Sequence, residues 1–545
     1  MKLFIVLLTG AFMLATGTSD VFAKKKEKVQ TEAKSDTVRT ASKKRNTQYP
    51  RLFKNKRVVT KKGLITIHKI DDKLYFEFPK SLLGREFLMG SSISATSDNT
   101  SGLVGQTMTT PLHIRFAIQE DQVYMQNVTP VSRMDVYSNQ SDISKAVAKS
   151  NITPDMESFK IAAYNMDSTA VVFEVTKFFL ADNKRLPLFD QNSSSLEDEK
   201  YGQLELKAVL KKNLSSIRNF YVFDDNLEIN LDMSFYQSLL ASKKEVRGGN
   251  VRVKAVYSML LLPEETMVWR LGDPRLGYTF TKKQKISTEK DGTAFSYLQH
   301  KWNLLPADEE AYRRGDLVAP RKPVVFYIDS DFPEAWKKAI KEGVNWWNEA
   351  FKMAGFKDAV QTADFPANDT TFYAGNLKYS CIRYVPVNLS KTQSKVWVDP
   401  RSGEIINGTI FVGHDIAKTI ASQRFVQTAQ VDERMRGIQL SEEVLLEGIR
   451  LYVAREVGHC LGLADNASAS AAFSVESLRS PEFTRQNGIA SSVMDELPYN
   501  YIAQPQDGKA DFIQNKLGAY DLFAIQMGYM LVPDAKTPEE IREKI

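Results

Sequence analysis

The stretch that most constrains this chain is Val444 to Ser470, VLLEGIRLYVAREVGHCLGLADNASAS. A helix is expected to start near Ser441, with Glu442 and Glu443 favourably placed at its positive end. Leu445, Ile449, Tyr452, Val453, Glu456, His459 and Cys460 then recur on roughly one side. A helix with that stripe must bury it against other elements, so a domain has to be built around it. Glu456 and His459 fall at the deep end of the apolar face. A buried carboxylate without a partner is costly, so Glu456 requires either a partner or a chemical role.

The spacing inside this helix suggests the chemistry. In the pattern H-E-x-x-H, two histidines four apart share one helix face and hold a zinc ion, and the glutamate between them is the general base. Glu456 and His459 match that pattern, but Arg455 replaces the first histidine. Gly462 falls where the longer pattern H-E-x-x-H-x-x-G-x-x-H turns, and Asp465 falls at its third-ligand position. An aspartate oxygen can ligate zinc; a guanidinium has no lone pair to give. Two ligands therefore remain where catalytic zinc sites hold three.

Two outcomes follow. In the first, Arg455 pairs with Asp465, with Glu456 as a second partner, and an ion cluster replaces the metal. Glu456 is then a relic or structural carboxylate, and His459 a hydrogen-bonded core histidine. In the second, His459 and Asp465 still hold zinc and Glu456 acts as base on a metal-bound water. The chain has five histidines, and His414, on a separate segment, is not expected to replace the missing ligand. Cys460 neighbours His459 and should point elsewhere. Cys381 and Cys460 could pair in an oxidising compartment, but a buried free thiol on the helix is the plainer expectation.

With 545 residues there is room for two or more domains. Residues 1–23 read as a signal peptide: a lysine, an apolar run and a small-residue cleavage site. The run is shorter than the ~20 residues of a spanning helix, and no later segment qualifies. The protein is expected to be exported to the periplasm, the cell surface or the medium. Residues 24–62 are lysine-rich and without periodicity, and read as a flexible basic leader. Because this leader supplies part of the net charge of +6, the charge does not describe a nucleic-acid-binding face.

Residues 63–302 are rich in short β runs, beginning with a hairpin of Leu64–His68 and Leu74–Phe78, with His68 on its polar face. Residues 303–323, NLLPADEEAYRRGDLVAPRKP, read as a linker. From residue 324 the pattern changes. A strand over Val324–Ile328 leads to a helix capped by Asp331, with the stripe Trp336, Ile340, Val344, Trp347 and Phe351 and a stop at Gly355. A hairpin of Lys395–Asp399 with Glu404–Val412 precedes the central helix.

This order resembles a metzincin catalytic domain. More narrowly, the chain resembles the exported bacterial met-zincin family, whose members carry an extended β-rich domain before the protease domain. The blocks that carry the likeness are GLITIHKIDDKLYFEFPKSLLGREF (63–87), LLLPEETMVWRLGDPRLGY (260–278), PVVFYIDSDFPEAWKKAIKEGVNWWNEAFKMAGF (323–356), VDPRSGEI (398–405), REVGHCLGLADNASAS (455–470), SLRSPEF (477–483), SSVMDE (491–496), YNYIAQPQDG (499–508) and LGAYDLFAIQMGY (517–529). The resemblance implies an α+β chain: a β-rich N-terminal domain, then a metzincin-like domain over 324–545 with a mixed sheet, a backing helix and an active-site helix. It implies zinc as cofactor, Met494 in the turn beneath the metal, and a peptide or protein in the cleft. Arg455 departs from the family pattern. The reading is therefore an inactive or impaired zinc metallopeptidase, a pseudoprotease acting by binding, with an active zinc endopeptidase as the alternative. Oligomeric state is not legible.

Overall fold

The computed structural model describes residues 48–99, 102–105, 107–129, 134–136, 141–189, 196–198, 200, 202–286, 293–369, 372–387, 392–508, 510–535 and 537–545. The expected signal segment and the first part of the leader lie outside the described residues. The architecture is α+β, with a β-rich N-terminal region and a metzincin-like C-terminal domain.

Among the described residues, thirteen strands between Val58 and Leu261 form one antiparallel sheet. Its longest pair is the hairpin β1 (Asn226–Ala241) and β2 (Lys244–Leu261). Leu227, Ile229, Leu231, Met233 and Phe235 of β1 all enter the main N-terminal core, the period of two that a strand with one buried face requires. The unstructured leader expected up to residue 62 ends earlier than that. Val58–Lys62 is a strand paired with Thr66–Ile70, and residues 48–53 are helical. Tyr49, Leu52 and Phe53 pack on Ile70 and Tyr75, so three apolar side chains within a lysine-rich stretch dock it to the sheet. His68 is also not on an open polar face. It is 4% exposed, between Thr60 at 2.8 Å and Glu77 at 2.9 Å.

Residues 303–323, expected to be a linker, instead carry a short helix, Glu309–Arg313, whose cap Asp308 accepts from the Ala311 amide. Leu304, Ala311 and Val318 are buried in the C-terminal core, so this segment belongs to that domain's packing.

The C-terminal sheet has five strands: β3 (Val324–Ile328), β4 (Val360–Asp364), β5 (Ser380–Val385), β6 (Thr392–Asp399) and β7 (Glu404–Gly413). Their order is β4-β3-β5-β7-β6; β6 is the antiparallel edge and the other neighbours are parallel. The expected stripe of Trp336, Ile340, Val344, Trp347 and Phe351 is buried throughout. The helix that carries it breaks at Trp346 into α1 (Glu334–Asn345) and α2 (Trp347–Met353). Asp331 does not cap it; Pro333 takes the N-cap position without a side-chain bond. Gly355 stops it as expected, at φ +86.

After β7 come α3 (Ile416–Thr428) and the central helix α4 (Glu442–Cys460). The helix α5 (Ala519–Tyr529) closes the domain's core. Helix α1 crosses α4 closely: a Cβ on Gly343 would meet the Arg450 carbonyl. Trp347 Nε1 donates to the Ala454 carbonyl at 2.8 Å. The N-terminal region covers the sheet face opposite α4. Gln393 donates to the Val104 carbonyl at 2.8 Å and Trp397 packs against Gly90, whereas Thr392, which points the other way along β6, reaches α4. No described helix is long and apolar enough to cross a membrane.

Candidate functional site

Helix α4 starts where its sequence says it should. Ser441 caps it by accepting from the Val444 amide, and Glu442 and Glu443 occupy the first turn. Glycines let it sit deep in the domain. A Cβ on Gly458 would collide with Met494 Sδ and the Trp347 ring. Just past the helix, Gly462 has φ +96, and a Cβ there would run into the His300 carbonyl. That left-handed turn sends the chain back under the last turn of α4 and brings Asp465 to Arg455 and His459.

The three side chains meet at one oxygen. Asp465 Oδ1 accepts from Arg455 Nη2 at 2.6 Å and lies 3.3 Å from His459 Nε2. On its other side the His459 ring bonds the Leu463 carbonyl through Nδ1 at 2.9 Å. A carbonyl only accepts, so Nδ1 carries the proton. Nε2 therefore hydrogen-bonds Asp465 only in the doubly protonated imidazolium. The cluster is open to water on the aspartate side, where the Asp465 side chain is 54% exposed against 24% for Arg455.

Glu456 takes no part in this pair, contrary to the expectation that it would be Arg455's second partner. It is 9% exposed and accepts from Thr392 Oγ1 on the edge strand at 2.9 Å. A neutral hydroxyl thus satisfies one oxygen of the carboxylate that the helix carries inward. Thr392 was not legible as its partner, since 64 residues separate them.

Met494 is fully buried against Gly458, and its carbonyl accepts from the Asn466 amide at 2.9 Å. A second carboxylate missed in the sequence holds this turn. Asp521, near the start of α5, accepts from Ser492 Oγ at 2.6 Å and from the Val493 and Gly518 amides at 2.8 Å each. Burial pushes its carboxyl up to about 6, against the pull of those three donors. The two halves of this anchor lie in separate blocks of the family resemblance, SSVMDE and LGAYDLF, which was the one available signal.

The other candidates are elsewhere. His414 bonds Tyr384 at 2.6 Å and stacks on Trp336. Cys460 faces Gly408 on β7, and burial drives its thiol well up; both cysteines are free.

The residues at the family's zinc position do not fit the ion. Catalytic zinc needs about three protein ligands with lone pairs to donate. The first position holds a guanidinium, and the oxygen of the third is bonded to it. Among the described residues, no three His, Cys, Asp or Glu side chains are grouped as a ligand set. A cavity of about 250 Å³ remains beside the cluster, lined by Thr392, Thr419, Gln423, Tyr452, Arg455 and Glu456, with residues 492–498 opposite. Among the described residues, all of its lining lies at or beyond Thr392, so no described residue of the N-terminal region lines it.

Residues 437–545 match the family model described as Met-zincin. Residues 105–307 match a domain of unknown function (DUF5117), and residues 47–96 match DUF5118. No curated protein and no solved structure matches the chain. The matched C-terminal segment contains α4, Gly462, Asp465 and Met494, so the cluster described above lies in the metzincin-like part of the molecule.

Proposed function

We propose that this protein is a non-catalytic member of the met-zincin group, exported from the cell, that keeps the peptidase cleft as a binding site for a peptide or protein. One contact supports the reading above the rest: Arg455 Nη2 on Asp465 Oδ1 at 2.6 Å, a permanent cation at the position of the first zinc ligand. Glu456, held by Thr392, has no activated water to deprotonate and serves as a satisfied structural carboxylate. The cleft beside it is bounded by Thr392 of the edge strand β6 on one side and by residues of α3 and α4 on the other.

The test is metal content and stability of the mature protein beside Arg455→His. Wild type is expected to carry far less than one zinc per chain and to leave casein uncut. Arg455→His is expected to gain zinc and a melting temperature that rises with added zinc and falls with chelator. Stoichiometric, tightly held zinc in wild type, with chelator-sensitive cleavage, would overturn the proposal. For the binding role, Thr419→Trp, which fills the cavity wall, should weaken capture of unstructured peptides without changing the melting temperature. Export is checked by sequencing the mature N-terminus, expected at Lys24.

A further inference from the structure

A second cavity, of about 520 Å³, lies between residues 265–270, residues 301–313 and the C-terminal segment 531–541. Two cations are buried in its wall: Arg270 is 7% exposed and Lys301 is 5% exposed. They are held very differently. Arg270 is fully engaged, donating to the Met527 carbonyl and, at 2.6 Å, to the Met530 carbonyl. Lys301 is fixed only through its backbone, whose amide donates to Gly403 at 3.0 Å and whose carbonyl accepts from Ile405 at 2.8 Å. Its ammonium has no hydrogen-bond or ion-pair partner among the described residues, only the Tyr529 ring with its centroid 5.4 Å away. Burial, and then the charge of Arg270, push this lysine down to about 7, against the opposing pull of the Glu404 carboxylate.

A buried ammonium whose counter-charge, Glu404, acts on it only through space, with no hydrogen bond or ion pair, is costly for a fold to keep. A ligand that brings a directly bonded negative charge offsets that cost. The remaining wall indicates the kind of ligand. Met267, Leu304, Tyr312 and Leu531 are largely apolar, and the exposed charged lining residues are mixed: Glu265, Glu309 paired with Arg321, and Arg313 paired with Asp534. One inner cation without a direct partner, in a largely apolar wall, favours a single negative charge on an apolar body over a polyanion.

We propose that this cavity binds a small organic carboxylate with an apolar tail, its headgroup ion-paired with Lys301 and its tail against Met267, Leu304 and Leu531. The site is separate from the cleft at Arg455 and does not depend on how that cleft functions.

The experiment is calorimetric titration of the full mature chain with octanoate, and with octanol as the uncharged probe of the same tail. Octanoate is expected to bind saturably at one site, at least ~10-fold tighter than octanol, the difference a desolvated ion pair supplies. Lys301→Met should abolish that preference and raise the melting temperature of the ligand-free protein, because it removes a buried cation that has no direct ion-pair partner. Equal affinity for the two probes, no saturable octanoate binding at millimolar concentration, or unchanged octanoate affinity in Lys301→Met would overturn the proposal. If Lys301→Met does not fold, Leu305→Trp at the exposed rim narrows the cavity with the lysine in place, and undiminished octanoate binding in that variant would equally overturn it.

Discussion

Helix α4 bears two arginine–aspartate clusters, and they differ in nearly every respect except composition. Toward its start, Arg424 from α3 is fully buried and divides its guanidinium between Asp432 at 2.8 Å and Glu447 at 2.6 Å. Arg434 extends the network to Asp432 at 3.0 Å, Glu447 at 3.0 Å and Glu443 at 2.9 Å. Toward its end, Arg455 makes one bond to a half-exposed aspartate. The first cluster is a multiply connected network in low dielectric that ties α3 and the following loop to α4. The second is a single bond facing water, beside the cavity proposed above as a binding cleft. The same residue pair is thus multiply anchored in one place and singly bonded in the other, and connectivity and solvent exposure make the difference.

If that contrast holds, the largest effect comes from the buried side. Arg424→Ala removes the fully buried cation and leaves Asp432 and Glu447 with Arg434 alone, and should cost up to roughly 3–5 kcal/mol in urea unfolding. A loss below ~1 kcal/mol would place the network with ordinary surface pairs and erase the distinction. Acid sharpens the same point. Burial alone would raise the Asp432 carboxyl, but hydrogen bonds from Arg434 and Arg424 outweigh it and hold it below its ordinary value of 3.8. A group whose folded-state pKa is depressed stabilises the fold above its unfolded value. That stability is lost as pH falls through the lowered folded value. Wild type should therefore lose stability over this acid range more steeply than Asp432→Asn, as followed by circular dichroism against pH.

The next effect concerns the turn that delivers Asp465 to the helix. Gly462→Ala places a side chain at φ +96 and drives its Cβ into the His300 carbonyl, a backbone group that cannot rotate away. A cost of about 1–3 kcal/mol is expected from the left-handed conformation, with the clash added to it. The variant should also lose the Asp465 contact, so its Arg455 environment, read by guanidinium NMR, should resemble that of Asp465→Asn. A variant as stable as wild type would show that the turn is not fixed by this glycine.

Both predictions rest on features of unequal legibility. The start of α4 at Ser441, the buried stripe from Trp336 to Phe351, the stop at Gly355 and the hairpin into β7 are local patterns of period and cap, and the sequence carries them openly. Gly462 was legible as a turn because a motif placed it. Helix α3 was not legible. Its apolar residues form no clean stripe, and two of its buried residues are polar: Arg424, whose guanidinium reaches Asp432 beyond the helix, and Thr428, whose hydroxyl donates to the Arg424 carbonyl one turn back. The partners of Glu456 and of the Met494 turn were hidden for the same reason: Thr392 and Asp521 meet them only in three dimensions. The lysine-rich strand Val58–Lys62 was taken for leader because its pairing, not its own composition, makes it a strand.

The smallest expected effect is the most informative about the cleft. A double-mutant cycle of Arg455→Met and Asp465→Asn should give a coupling of no more than about 1 kcal/mol, the range of a solvent-facing pair. It should shrink further at high salt, where the Debye length falls to about 3 Å at 1 M. Under the proposed binding role the pair needs no more than this, because it only neutralises Asp465 at the edge of the cleft. A coupling of several kcal/mol that salt does not screen would mean instead that Arg455 locks the segment after α4 as firmly as Arg424 locks the segment before it. The cleft would then be a rigid structural seam, and the binding role proposed for it would lose its physical basis.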